Sequence, residues 1–282
     1  MQTKRSSADS PLPYVLGHTG PELERLKAQA AIIDPITHRF FKEAGLKSGM
    51  RVLDIGTGAG DVAFLAADLV GPAGQVTGVD RSESALRIAR QRAQERGLDM
   101  VRFVQGDAEA LPVDERFDAV IGRYVLQFQR SPAEFLRRLA SHVRPGGLAV
   151  FHEIDWSGLH SLPPVPAFDQ CWRWGEAAIR ASGAETQMGT KLHATFVEAG
   201  FGTPTMRLEA PVGGAETMTS WMNMFVALLT TLLPGMQQAG IASEQDLDLP
   251  TLADRLLAEV AAARGVVIGH LQVAAWATFA RE

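Results

Sequence analysis

Asp54 interrupts the apolar run that ends at Ile55, just before the turn Gly56-Thr57-Gly58-Ala59-Gly60. Glycines in a turn that leaves a strand let the backbone approach a ligand closely. Their spacing is G-x-G-x-G, one residue short of the dinucleotide fingerprint G-x-G-x-x-G. A carboxylate beside such a turn repels a pyrophosphate and attracts an ammonium or sulfonium centre. Taken alone, Asp54 also reads as a turn residue bonding local amides. Asp80 closes a second apolar run, where a carboxylate can accept hydrogen bonds from both hydroxyls of a ribose. Arg81 can lie along an adenine face or begin a solvated helix. In Gly106-Asp107-Ala108-Glu109, Asp107 can accept from an adenine amino group while a neighbouring amide donates to a ring nitrogen, an ordinary acidic loop being the alternative. The ligand these residues describe is a cationic adenosine compound, S-adenosylmethionine.

The elements that must position them alternate in period. Residues 51–55, 75–79, 101–105, 117–121 and 148–154 read as short buried strands, and 61–70, 82–96 and 133–142 as helices between them. That order implies right-handed crossovers and a doubly wound α/β sheet covered on both faces. Ahead of it, apolar positions from Leu23 to Phe41 recur at helical spacing, and Pro35 predicts a break into two helices. Pro145-Gly146-Gly147 predicts the turn from a helix into a strand. Beyond Trp156 the spacing predicts a helix containing Trp172 and Trp174, helices over 191–199, 217–232 and 249–262, and strands over 204–210 and 270–279.

Five segments in this order, VLDIGTGAG (52–60), VTGVD (76–80), GDAEALP (106–112), FDAVIGRYVLQF (117–128) and RLASHVRPGGLAVF (138–151), resemble the class I S-adenosylmethionine-dependent methyltransferases. The likeness is greatest to the ubiquinone and menaquinone biosynthesis and natural-product branch. It implies a Rossmann-like, mostly parallel, seven-stranded sheet with N-terminal helices and helical lid insertions near the C-terminal strands. Residues 1–45 would be a helical lid segment, 46–156 the cofactor-binding core, and 157–282 the substrate-lid helices with the last strands. By the same resemblance Gly56, Thr57 and Gly58 surround the methionine moiety, Asp80 holds the ribose, and Asp107 with Ala108 holds the adenine. Arg123 would lie near the methionine end, chiefly through its carbonyl. Phe128 stands about where many relatives carry a histidine, so a base role expected there has no residue.

Methyl transfer is an in-line displacement at a sulfonium, so the protein must above all hold nucleophile and methyl together in a dry pocket. A base is needed only for a weak nucleophile. His152 and Glu153, at the end of the fifth strand, are the candidates, against the plainer reading of a hydrogen-bonded core histidine. Tyr14 and His18 could close over the cofactor or belong to a surface arm. Trp172, Met222 and Phe225 could line an apolar acceptor pocket, although Met222 and Phe225 also have ordinary core spacing. The expected reaction moves a methyl group to oxygen or carbon of a small, partly apolar metabolite, releasing S-adenosylhomocysteine. A non-methylating biosynthetic cyclase that retains the cofactor would keep every one of these motifs.

The chain's 282 residues, 46% hydrophobic and 21% charged, suffice for a large core, and its net charge of −5 disfavours a nucleic-acid partner. One cysteine, Cys171, excludes an internal disulfide and fits a reducing compartment. Histidine spacing suggests no metal site, no apolar stretch reaches the roughly 20 residues of a membrane span, and a cytoplasmic protein, with a homodimer open, is expected.

Overall fold

The computed structural model describes residues 20–107, 111–112 and 115–279, with side chains from residue 29 onward. Strands β1 (Arg51–Ile55), β2 (Gln75–Asp80), β3 (Val101–Gln105), β4 (Phe117–Arg123) and β5 (Val143–Asp155) alternate with helices α2 (Asp61–Val70), α3 (Glu83–Glu95) and α4 (Pro132–Leu139). Their inner residues, such as Val52, Leu53, Val76, Ala119 and Val150, are buried, as strands covered on both faces require. The sheet runs β3-β2-β1-β4-β5-β10-β7, with β7 spanning Thr205–Glu209 and β10 Leu271–Thr278. The first five strands are parallel, and β10 lies antiparallel to both β5 and β7. The switch point between β1 and β4 is the crevice where such sheets bind ligands.

Helices α2 and α3 pack on one face of the sheet, with Phe41 of α1 (Gly20–Ala44). On the other face α4 and α6 (Met188–Ala199) cover Leu53, Val120 and Phe151. Gly189 is a point of close approach in that packing, since a Cβ there would come within 2.8 Å of Val273 and 2.9 Å of Asp155. The remaining chain builds a helical bundle from α5 (Pro166–Ala181), α7 (Thr219–Gln238), α8 (Glu244–Leu247) and α9 (Leu249–Ala262). Its core holds Trp156, Phe168, Cys171, Trp221, Met222 and Phe225, and Ile32, Phe128 and Ile154 of the sheet domain pack against it. A small antiparallel sheet, β6 (His160–Leu162), β9 (Val266–Ile268) and β8 (Val212–Gly213), lies beside the bundle.

Three expectations need correction. The predicted break at Pro35 is absent, and α1 is continuous through it. Proline frees the carbonyl of residue 31, but Ala31 and Pro35 both lie on the exposed side, where water can satisfy that oxygen. The Pro145-Gly146-Gly147 turn falls inside β5: Val143 pairs with Phe117, the exposed residues 144–146 and the buried Gly147 form a bulge, and pairing resumes at Leu148 with Ala119. The strands β6, β8 and β9 were not foreseen, being only two or three residues long.

Candidate active site

The turn after β1 is built for close approach. Gly56, Gly58 and Gly60 all have positive φ, at 66°, 53° and 90°, and a Cβ on Gly58 would meet nothing within 4 Å. At Gly60 a Cβ would strike Phe64 at 2.9 Å, so that residue packs the following helix. Asp54 lies beneath the turn, 0% exposed, and neither of its oxygens has a hydrogen-bond partner. Burial pushes its carboxyl up to about 7; the Thr57 hydroxyl, beside it without forming a well-directed bond, and the charge of Arg123 oppose the shift. An unpaired carboxylate inside a protein is costly unless a cation is to meet it. Together with the unpartnered Thr57 hydroxyl and the open space at Gly58, it fits the ammonium and sulfonium end of S-adenosylmethionine.

Asp80 ends β2 on the same rim, its Oδ2 accepting from the amide of Gly58 at 2.9 Å and its Oδ1 from that of Ser82 at 2.8 Å. Each oxygen keeps a lone pair for a ribose hydroxyl. Arg81 is ion-paired with Asp107, so the two residues expected at the adenine meet across that end of the site. Ala108 lies outside the described residues, as do Tyr14 and His18.

Arg123, His152 and Gln272 form a polar row beneath α1, on neighbouring strands. Arg123 pairs in register with His152, and its side chain, 7% exposed, donates to Asp34 Oδ1 at 2.7 Å and Thr37 Oγ1 at 3.0 Å. Thr37 Oγ1 lies 3.0 Å from His152 Nδ1, and His152 Nε2 lies 3.0 Å from Gln272 Oε1. The phenol of Tyr124 bonds the same Gln272 oxygen. Burial pushes His152 down to about 3, with the Arg123 charge adding to the effect, so its ring is neutral and both nitrogens are occupied.

Glu153 points to the opposite face, where its carboxylate accepts from the amides of Val125, Leu126 and Gln127 at 2.9, 2.7 and 3.4 Å. It thereby pins the short helical turn Leu126–Phe128 that follows β4. Burial raises its carboxyl to about 8 against the pull of those amides. Among the predicted acceptor residues, Met222 and Phe225 are 0% exposed within the bundle, while Trp172 is partly buried against it. His270, which sequence spacing left as structural or exposed, is buried against Trp156 at 4.3 Å between ring centroids.

Asp34, Thr37, Tyr124 and Gln272 were not foreseen. The available signal was Gln272, the one amide side chain in the otherwise apolar core of the final strand.

A doubly wound sheet, a glycine turn over an unpaired acid, and a second acid at the end of β2 define a class I S-adenosylmethionine-dependent methyltransferase domain. Residues 46–200, more than half of the chain, match the family model described as "Methyltransferase domain", and the chain belongs to that family. A ubiquinone/menaquinone biosynthesis C-methyltransferase of Pseudomonas entomophila is 41% identical over 117 residues, 39% of this chain and 46% of the relative. The chain thus spans about half the length of the curated relatives it matches. Among solved structures, the YcgJ protein from Bacillus subtilis is similar with a TM-score of 0.52 at 19% identity, over 87% of this chain and 98% of that one. The [4+2]-cyclase SpnF is similar with a TM-score of 0.51 at 23% identity, over 88% and 82%. These likenesses are of fold.

Proposed function

We propose that the protein transfers the methyl group of S-adenosylmethionine to oxygen or carbon of a small, partly apolar metabolite, releasing S-adenosylhomocysteine. The buried, unpartnered carboxylate of Asp54 beneath an open glycine turn carries this reading. The bound cofactor supplies a methyl group activated by the sulfonium charge. Asp54 and the Gly56–Thr57–Gly58 turn would take the amino-acid end, the Arg123 carbonyl would lie beside it, and Asp80 would hold the ribose. Asp107 and Ala108, with Arg81 alongside, would take the adenine.

His152 and Glu153, the base candidates, act in this reading as positioning residues. His152 has no free nitrogen for a substrate proton, and the Glu153 carboxylate is spent on backbone amides. The reaction then rests on orientation and exclusion of water, which can supply several orders of magnitude without a base. Trp172 faces the acceptor side, with Met222 and Phe225 as backing for that wall, and Tyr14 and His18 belong to the covering segment. The bundle's apolar content and the quinone-biosynthesis relatives support a partly apolar acceptor. Its place in the cell is the cytoplasm, its setting natural-product biosynthesis, and a homodimer is compatible with this assignment. No helix among the described residues is long and apolar enough to cross a membrane, and no metal-binding cluster occurs among them.

Titration calorimetry tests the assignment. S-adenosylmethionine and S-adenosylhomocysteine should bind with micromolar affinity and NADH should not, while Asp80→Ala should weaken binding by about 1–3 kcal/mol through loss of the ribose acceptor. NADH binding alone would overturn the cofactor class.

A further inference from the structure

We propose that Tyr124 positions the acceptor by receiving a hydrogen bond from the atom to be methylated or from a hydroxyl beside it, so that the pocket selects acceptors carrying an O–H donor. The inference rests on the methyl-transfer reading above. It follows from the polarity of the hydrogen bonds around Gln272.

The side-chain nitrogen of Gln272 donates to the carbonyl of His270 at 3.1 Å. A flipped amide would set two carbonyl oxygens against each other there, so Oε1 must face His152 and Tyr124. An oxygen only accepts. His152 therefore donates from Nε2, its neutral ring accepts at Nδ1 from the Thr37 hydroxyl, and Thr37 in turn accepts from Arg123. The Thr37 hydroxyl also lies 3.1 Å from the carbonyl of Ile33, but a hydrogen sent there would leave lone pairs of Oγ1 and of the unprotonated Nδ1 facing each other at 3.0 Å. The Tyr124 phenol likewise gives its only hydrogen to Gln272. What remains on the phenolic oxygen is acceptor capacity alone.

Tyr124 is also placed and held for the task. It follows directly on Arg123 at the carboxyl end of β4, beside the crevice, and it is partly exposed while Gln272 is 1% exposed. Its φ of 58° is unusual for an aromatic residue, and its amide is tied to the carbonyl of His152 at 2.9 Å. Strain of this kind persists where surroundings over-determine a functional geometry. Burial also raises the phenol's pKa, so it stays neutral. Four residues on, Phe128 is, like Ile154, Trp172 and Trp174, a partly buried apolar residue packed against the bundle core.

The test uses S-adenosylhomocysteine-loaded protein and two probes, 2-naphthol and its methyl ether, which differ in the O–H donor. Wild type should bind the naphthol about tenfold more tightly, a difference of about 1.4 kcal/mol. Tyr124→Phe should bind S-adenosylhomocysteine unchanged and show no preference. Gln272→Leu frees the phenolic hydrogen to donate to the ether oxygen, so the preference should shrink there too, and this variant serves if Tyr124→Phe does not fold. A preference that survives both substitutions, its absence in wild type, or failure of either probe to bind the loaded protein overturns the proposal. Failure of S-adenosylhomocysteine itself to bind wild type overturns the cofactor reading instead.

Discussion

A carboxyl group ionises near 3.8 in an unfolded chain, but Asp54 does so at about 7 in the folded protein. The unfolded state therefore loses this proton first, and Asp54 draws stability away as pH rises between those values, with the full cost present above 7. The cost is the counterpart of the site's affinity, because the ammonium that completes the pair is absent in the ligand-free protein. Asp54→Asn should accordingly be more stable than wild type at pH 8, by up to about 4 kcal/mol, and should lose that advantage toward pH 4. Binding of S-adenosylhomocysteine should be nearly abolished by the same change. Urea unfolding of both proteins at pH 8 and 4, read beside calorimetry, checks the pair of effects; equal midpoints at pH 8 would mean that the carboxylate is satisfied after all. In wild type the affinity for S-adenosylhomocysteine should fall as pH drops through 7, when Asp54 takes up its proton.

At the scale of elements, α1 is fastened over the end of the sheet by Asp34 and Thr37, one turn apart, reaching Arg123 and His152. The Asp34 carboxyl sits above its ordinary range because burial outweighs the attraction of Arg123. Removing Asp34 strands the Arg123 guanidinium, 7% exposed, and breaking a pair of this kind costs about 3 kcal/mol. Asp34→Ala should hasten hydrogen exchange in α1 far more than in β1 or β4. Uniform acceleration throughout the domain would count against a local brace. This row also marks where reading the chain fails. The alternation of β1 to β5 with α2 to α4 was legible because parallel strands are local apolar runs and their turns carry glycine. Asp54 and Asp80 were legible because each stands at a strand end. Asp34, Tyr124 and Gln272 meet only after folding, from α1, the end of β4 and β10, and no spacing links them. Pro35 misled because its penalty depends on whether the freed carbonyl faces water, which only the packed helix decides.

At the scale of the whole molecule, the bundle rests on the sheet through a column of rings. Trp156 continues directly from β5 and His270 directly precedes β10; their centroids are 4.3 Å apart, and Trp221 stacks on Phe225 at 5.3 Å while lying 5.6 Å from His270. Gly269 admits the indole because it has no side chain: a Cβ there would lie 2.6 Å from Trp221 Nε1. Offset and edge-on ring contacts add to the apolar burial that joins the two parts. The residues proposed for the cofactor lie on β1, β2, β4 and the turns after β1, β2 and β3, whereas the proposed acceptor wall is drawn from the bundle. Damage to the column should therefore separate the two binding events. Trp221→Ala should cost about 3–5 kcal/mol within the bundle and make its amides exchange at lower free energy than those of β1 and β4. Affinity for S-adenosylhomocysteine should hold within a few fold, while 2-naphthol binding to the loaded protein should be lost. Were both affinities to fall together, the bundle would be shaping the cofactor site as well, and the division of labour between sheet and bundle would have to be abandoned.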